Sequence, residues 1–222
     1  MYIVAPDVER SGSGHSITLR RRISVDRRGE RAWALGGTPA DCVRVALHAL
    51  LPGPPALVLA GANRGLNLGT DVYYSGTVSA AIEATVSGLT AVAVSEEDPG
   101  DHQTLLAPLL PWVPRLLRGV VRHGLPPRTL LNVNVPRRHE ARAMRVAQLG
   151  VRDYDDRFET QTDEHGRRYF WLGGGPAPTP NRPGSDVALL DEGYVTVTPI
   201  LLDLTHRDLV PVMRAWVERD ED

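Results

Sequence analysis

The chain has 222 residues, 42% of them apolar, which is enough to bury a substantial core, most simply as a single domain over 1–222. Its formal net charge of −2 excludes a general pull towards nucleic acid polymers or anionic membrane, although Arg20, Arg21 and Arg22 cluster locally. One cysteine, Cys42, excludes an internal disulfide framework and fits a reducing, cytoplasmic setting, and no apolar run is long enough to span a membrane.

In chain order, Tyr2–Ala5 reads as a strand ended by Pro6, and a polar loop with Ser11, Gly12, Ser13 and Gly14 follows. Thr38-Pro39-Ala40-Asp41 combines a capping residue, a proline in the first turn and an acid three residues after the cap, so a helix is expected over Pro39–Leu50. Ala56–Ala60 is a buried-type strand, Gly76–Ser87 a helix rich in alanine, and Thr90–Ser95 another strand. The prolines at 108, 111 and 114 push the start of the next helix to Pro111 or Pro114, and "TLLNVNVP" at 129–136 supplies a central strand. Residues 150–175 then turn polar around Glu164-His165-Gly166 and predict a projecting hairpin. "GYVTVTPI" is a late strand, and Thr205 is placed to cap a C-terminal helix within 203–219, with Leu209, Val212, Met213 and Trp216 on one face. Alternation of this kind predicts an α/β fold: a mostly parallel, Rossmann-like sheet with helices on both faces and ligands beyond the carboxyl ends of the strands.

"GANRGLNLGTDVYYSGT" at 61–77 lies at such a place, where a strand gives way to a helix. Glycines allow a ligand close to the backbone, Asn63 and Asn67 offer neutral polar groups, and Ser75, Gly76 and Thr77 can direct hydroxyls and amides at an anion on the helix N-terminus. The plainer readings stand beside these: a turn-rich loop whose asparagines cap their own backbone, a simple N-cap at Ser75, and a surface serine at Ser11. The segment is neither a Walker A loop nor a dinucleotide fingerprint, which disfavours ATP hydrolysis. His15 lies beside the first loop, whereas His48, His123, His139 and His206 show no metal-ligand spacing, and the pairs Glu96-Glu97 and Asp155-Asp156 read as solvated faces.

Five stretches, "APDVERSGSGHSITL", "GGTPADCV", "GANRGLNLGTDVYYSGTVSAA", "LLNVNVP" and "DEGYVTVTPI", together resemble the SurE family of survival proteins, in family order and over nearly all of the chain. That resemblance implies a metal-dependent 5'-nucleotidase acting on nucleoside monophosphates. It implies a divalent cation, Mg²⁺ or Mn²⁺, held by two aspartates, a serine and an asparagine, the serine matching Ser11 and the asparagine Asn63. Phosphate binding would fall on Ser75, Gly76 and Thr77, with Asn67 a weaker candidate for lining the pocket. The hairpin and the C-terminal helix would exchange between subunits of a homodimer or homotetramer.

The sequence departs from the family pattern at two places. Ala60-Gly61 stands where the family usually has Ser-Gly, and the opening strand with Asn-Asp-Asp-Gly, which carries both metal-binding aspartates, has no counterpart. The expectation is therefore an N-terminally truncated chain whose Met1 is a misplaced start, poor in metal and impaired as an enzyme, with an exposed strand edge beside Tyr2–Ala5. The alternative is a non-catalytic nucleotide- or phosphate-binding protein.

Overall fold

A computed structural model describes residues 1–98, 107–137 and 141–218. Strand β1 (Ile3–Pro6) leads through the polar loop to β2 (Val25–Gly29) and β3 (Ala32–Leu35). Thr38 then starts helix α1 (Pro39–Val45) with a complete capping box: its hydroxyl accepts from the Asp41 amide, and the Asp41 carboxylate accepts from the Thr38 amide. The helix continues to Leu50 as one wider π-type turn.

Strand β4 (Val58–Arg64) starts and ends later than the expected Ala56–Ala60. Ala56 still lies in a bend, so pairing begins at Val58, whose amide donates to the Thr90 carbonyl. At its far end β4 continues through a bulge in which Ala60 to Asn63 runs against Ala93 to Ser95, one residue more than its partner. Gly61 makes the bulge possible: its φ is +123°, and a Cβ there would strike the Val94 carbonyl.

Helix α2 (Gly76–Val86), strand β5 (Ala91–Glu96), helix α3 (Val113–His123) and strand β6 (Thr129–Val135) follow. After β7 (Met144–Val146) come β8 (Asp153–Tyr154), the hairpin strands β9 (Arg157–Thr162) and β10 (Arg168–Gly173), and β11 (Pro176–Ala177), which pairs with β8 at the hairpin base. Helix α4 (Asp186–Asp191), strand β12 (Val195–Leu201) and helix α5 (Leu209–Val217) complete the described elements.

The central sheet has the order β4-β5-β6-β12-β7, with every neighbouring pair parallel except β6 and β12. Strand alternation divides its side chains between two cores. Ala91, Ala93 and Leu130 pack with Val78, Ala81 and Ala84 of α2, while Val92, Val94, Leu131 and Val133 pack with Val113 and Val120 of α3. Helices therefore cover both faces. A second sheet has the order β1-β3-β2, with β1 parallel to β3, and Tyr2 stacks on Trp33 at 6.3 Å. Among the described residues, β1 and β4 each pair on one side only.

The hairpin turns at Asp163–Arg167, where the Asp163 carboxylate accepts the His165 and Arg167 amides at 2.9 Å each. Phe158, Phe170 and Trp171 are about two-thirds exposed on it. Helix α5 buries none of its residues, and Thr205 does not cap it: the Leu209 amide donates instead to the carbonyl and Nδ1 of His206, and the Thr205 amide turns back to Asp203. The end of the expected 203–219 helix, and His139, lie outside the described residues. Strands β2, β3 and β7 and helix α4 are short elements that the periodicity does not announce. No helix among the described residues is long and apolar enough to cross a membrane.

Candidate functional site

The two polar loops meet at the N-terminus of α2. The Gly14 amide donates to the Tyr74 carbonyl at 3.0 Å, fastening the first loop to the residue before Ser75. Gly76 lies so close to that loop and to the start of α1 that a Cβ would stand 2.9 Å from Ser13 Oγ and 3.0 Å from Pro39 Cγ. From the other side, Thr77 Oγ1 donates to Asn63 Oδ1 at 3.2 Å, joining the end of β4 to the first turn of α2. The bulge in β4 is what delivers Asn63 to that turn.

Of the residues singled out in the sequence, Asn63, Gly76 and Thr77 come together. Ser75 is the N-cap, its Oγ accepting from the Val78 amide at 3.1 Å. Because Ser75 serves Val78, the amides of Gly76 and Thr77 remain as the first-turn donors for an anion, reinforced by the helix dipole. Ser11 is exposed and donates to Glu9 Oε1 at 2.7 Å; its neighbour Ser13 reaches Gly76 instead.

Asn67 lies elsewhere, almost fully buried at the carboxyl edge of the sheet. Its amide donates to Asn134 Oδ1 at 2.7 Å, and its carbonyl accepts from Asn132 at 2.8 Å and Asn134 at 2.9 Å. Its own Nδ2 donates to Ser95 at 2.6 Å. Three strand residues thus grip one loop residue, which is why "TLLNVNVP" interrupts an apolar strand with two asparagines.

Four further carboxylates lock the loops, and of these only Asp41 was marked by a motif, as the acid of the capping box. Glu83, on the third turn of α2, holds His15 at 2.8 Å and Arg44 at 2.9 Å, so His15 serves as a tie between the first loop and the helix. Asp41 holds the amide and hydroxyl of Thr18. Burial pushes the Asp41 carboxyl up, but the hydrogen bonds from Thr18 and Thr38 outweigh it and lower its pKa. Asp71 receives Arg152 at 2.8 Å and the Tyr154 hydroxyl at 2.6 Å, which binds the turn before Ser75 to the base of the hairpin. Burial, and the hydrogen bond it donates to Asp71, push the Tyr154 hydroxyl up to about 12. Asp186 accepts the amides of Gly69 and Gly150 at 2.9 and 2.8 Å; its burial raises its pKa against the pull of those amides. For the other three, the visible hint was the isolated Glu83 among the small and apolar residues of "TVSAAIEATVSG".

A cavity of about 560 Å³ opens beyond the ends of the parallel strands. Its walls include Leu66 and Leu68 of the glycine-rich loop, Glu97 just after β5 and Pro136 just after β6. The exposed rings of Tyr73 and Tyr74 stand immediately before Ser75.

Comparisons with known proteins point to one family. The family model described as "Survival protein SurE" matches residues 1–156. A 5'-nucleotidase SurE from Heliobacterium modesticaldum is 40% identical over 98% of this chain and 82% of its own length. One from Pelotomaculum thermopropionicum is 44% identical over 92% and 80%. The crystal structure of the SurE protein from Aquifex aeolicus superposes with a TM-score of 0.80 at 33% identity, covering 96% of this chain and 86% of that one. The chain belongs to the SurE family.

Proposed function

We propose that the chain is a phosphomonoesterase that hydrolyses nucleoside 5'-monophosphates to nucleoside and phosphate. The observation that carries this is the convergence of three segments, Arg10–Gly14, Asn63 and Ser75–Thr77, on the start of an 11-residue helix, with Gly76 shaved to allow the approach. The relatives named as 5'-nucleotidases support the substrate class. The Gly76 and Thr77 amides would hold the phosphoryl oxygens, Ser75 would keep the first turn in shape, and Asn63 would orient Thr77. In a phosphoryl transfer this placement and the fixed dipoles supply much of the rate.

The family resemblance implies Mg²⁺ or Mn²⁺ beside this point, but the residues present do not make a site for it by themselves. Ser11 and Asn63 are neutral, the Ser11 hydroxyl is turned to Glu9, and Asn63 Nδ2 donates to the carbonyls of Arg64 and Gly65. A hard cation is normally bound through carboxylates. No group of three or more His, Cys, Asp or Glu among the described residues could hold one. Ser11 and Asn63 are therefore proposed as supplementary donors only. The same observation favours, as the second reading, a protein that binds a nucleotide or phosphate without turning it over.

Release of inorganic phosphate from AMP by the full chain, with Mn²⁺ or Mg²⁺ added, tests the first reading. Turnover above the protein-free rate is expected, and AMP binding without turnover in either metal would leave the second. The unpacked apolar faces of the hairpin and α5 support a homodimer or homotetramer. The buried Cys42, whose thiol burial pushes up to about 12, supports a cytoplasmic setting in which it stays reduced and inert.

A further inference from the structure

We infer that the projecting hairpin sets the phosphate site through Asp71, a positioning residue for the hydrolysis proposed above, and the inference rests on that reading. The backbone of Asp71 is the first link. Its carbonyl accepts the amides of Tyr74 and Ser75 at 3.0 Å each, so the residue that caps α2, and with it the Gly76 and Thr77 amides, is held from the turn Gly69–Tyr73. Tyr74 also holds the first loop, because its carbonyl takes the Gly14 amide at 3.0 Å. A shift of Asp71 is therefore passed to both loops at the helix start.

The side chain is the second link. Oδ1 accepts the Tyr154 hydroxyl at 2.6 Å and Oδ2 accepts Arg152 Nη1 at 2.8 Å; both donors come from the stem of the hairpin, where Tyr154 on β8 pairs with Pro176 on β11. Each carboxylate oxygen serves one donor, so an amide at this position would turn an N–H group towards one of them. Neighbouring contacts keep the joint stiff. Thr70 Oγ1 donates to the Arg152 carbonyl and accepts its amide, and Gly69 lies so close to Gly150 that a Cβ would stand 2.8 Å from its carbonyl oxygen. Asp71 is buried against these donors, so it acts on a phosphate only through Ser75–Thr77. Bonds made by the hairpin stem thus fix the aim of the anion donors, and in a positioned reaction a misplacement of about 1 Å costs up to about a hundredfold in rate.

Steady-state hydrolysis of AMP with Mn²⁺ by the full chain, with inorganic phosphate as inhibitor, reads this linkage. Tyr154→Phe deletes one bond and should lower kcat/KM and weaken phosphate inhibition, each about three- to tenfold. Asp71→Asn should cost about tenfold or more in both. Tyr169→Phe removes the same kind of bond at the hairpin turn, from Tyr169 to Asp163 at 2.9 Å, and should leave both constants unchanged. A carboxylate that only supports the fold would lower the active fraction, and so the apparent kcat, with KM and phosphate inhibition unchanged; that result overturns the inference, as do equal losses in Tyr154→Phe and Tyr169→Phe. If the native chain releases no phosphate from AMP, the hydrolysis reading fails and amide hydrogen exchange decides the linkage without a ligand. Faster exchange at Tyr74 and Ser75 in Tyr154→Phe than in Tyr169→Phe then sustains the hairpin's hold on the helix start, and equal exchange overturns it.

Discussion

Replacing Asn134 by leucine tests how the glycine-rich loop is held to the sheet. Asn134 is fully buried and serves both polar groups of the Asn67 backbone, accepting its amide at 2.7 Å and donating to its carbonyl at 2.9 Å. Leucine has a similar volume, so the cost arises from hydrogen bonding more than from a cavity. The Asn67 carbonyl keeps Asn132 at 2.8 Å, but the amide loses its acceptor in a place with little water. An orphaned buried donor costs about 1–3 kcal/mol and the lost carbonyl bond about 1 more, giving about 2–4 kcal/mol. That is a large share of the roughly 5–15 kcal/mol that holds a domain together.

Asn132→Leu is the matched control. It also removes one bond to the Asn67 carbonyl, which keeps the other, and it removes Asn132 Oδ1, a buried oxygen with no protein partner among the described residues. Loss and gain offset each other to within about 1 kcal/mol. Urea unfolding of both variants, with an unchanged dependence on denaturant, should show Asn134→Leu the weaker by about 2 kcal/mol. Equal costs, or a larger cost for Asn132→Leu, would refute the reasoning that the Asn67 amide is the vulnerable group.

Gly76→Ala should lower AMP hydrolysis about tenfold or more while leaving the melting temperature nearly unchanged, because its Cβ would push Ser13 and Pro39 from the phosphate side of α2; full activity would remove Gly76 from the site. Asp41 has its pKa lowered below 3.8, so its contribution to stability is present above that value and is lost as the pH falls through the lowered one. Asp41→Asn should therefore be less stable than the native chain at neutral pH, with the difference shrinking in acid unfolding below 3.8; a constant difference would contradict the sign. Sedimentation at micromolar protein should show a dimer or tetramer that Trp171→Asp or Trp216→Asp dissociates, and a monomeric native chain would end the assembly proposal.

The layered fold was legible because its elements announce themselves locally. Thr38, Pro39 and Asp41 mark a helix start by position alone, and Val113–His123 begins where the prolines allow it. The apolar run before Asn132 reads as a central strand whatever lies beside it. What failed to show depended on partners distant in sequence. Strand β4 was placed too early because nothing in "ALVLAGANRG" reveals that Gly61 accommodates a bulge against Val94. Thr205 has the right chemistry for a cap, yet His206 supplies the acceptors that the first turn uses.

The site divides along the same line. A glycine, a serine and a threonine at a helix start signal anion chemistry through their own backbone, so Ser75–Thr77 could be picked out from spacing. Asn67 has the same composition and neighbourhood as Asn63, and only the sheet separates them: one meets Thr77 at the helix, the other is drawn into Ser95, Asn132 and Asn134. Buried carboxylates are harder still. Glu83 is bonded across 68 residues to His15, and Asp186 across 117 to Gly69. Each makes sense only once the loops it anchors have been brought together, because an ionisable group that is nine-tenths buried needs partners that its own segment does not contain. The rigidity of a phosphate site built from loops therefore rests on the residues that carry the least local signal, and that is where substitutions should alter binding without touching a ligand.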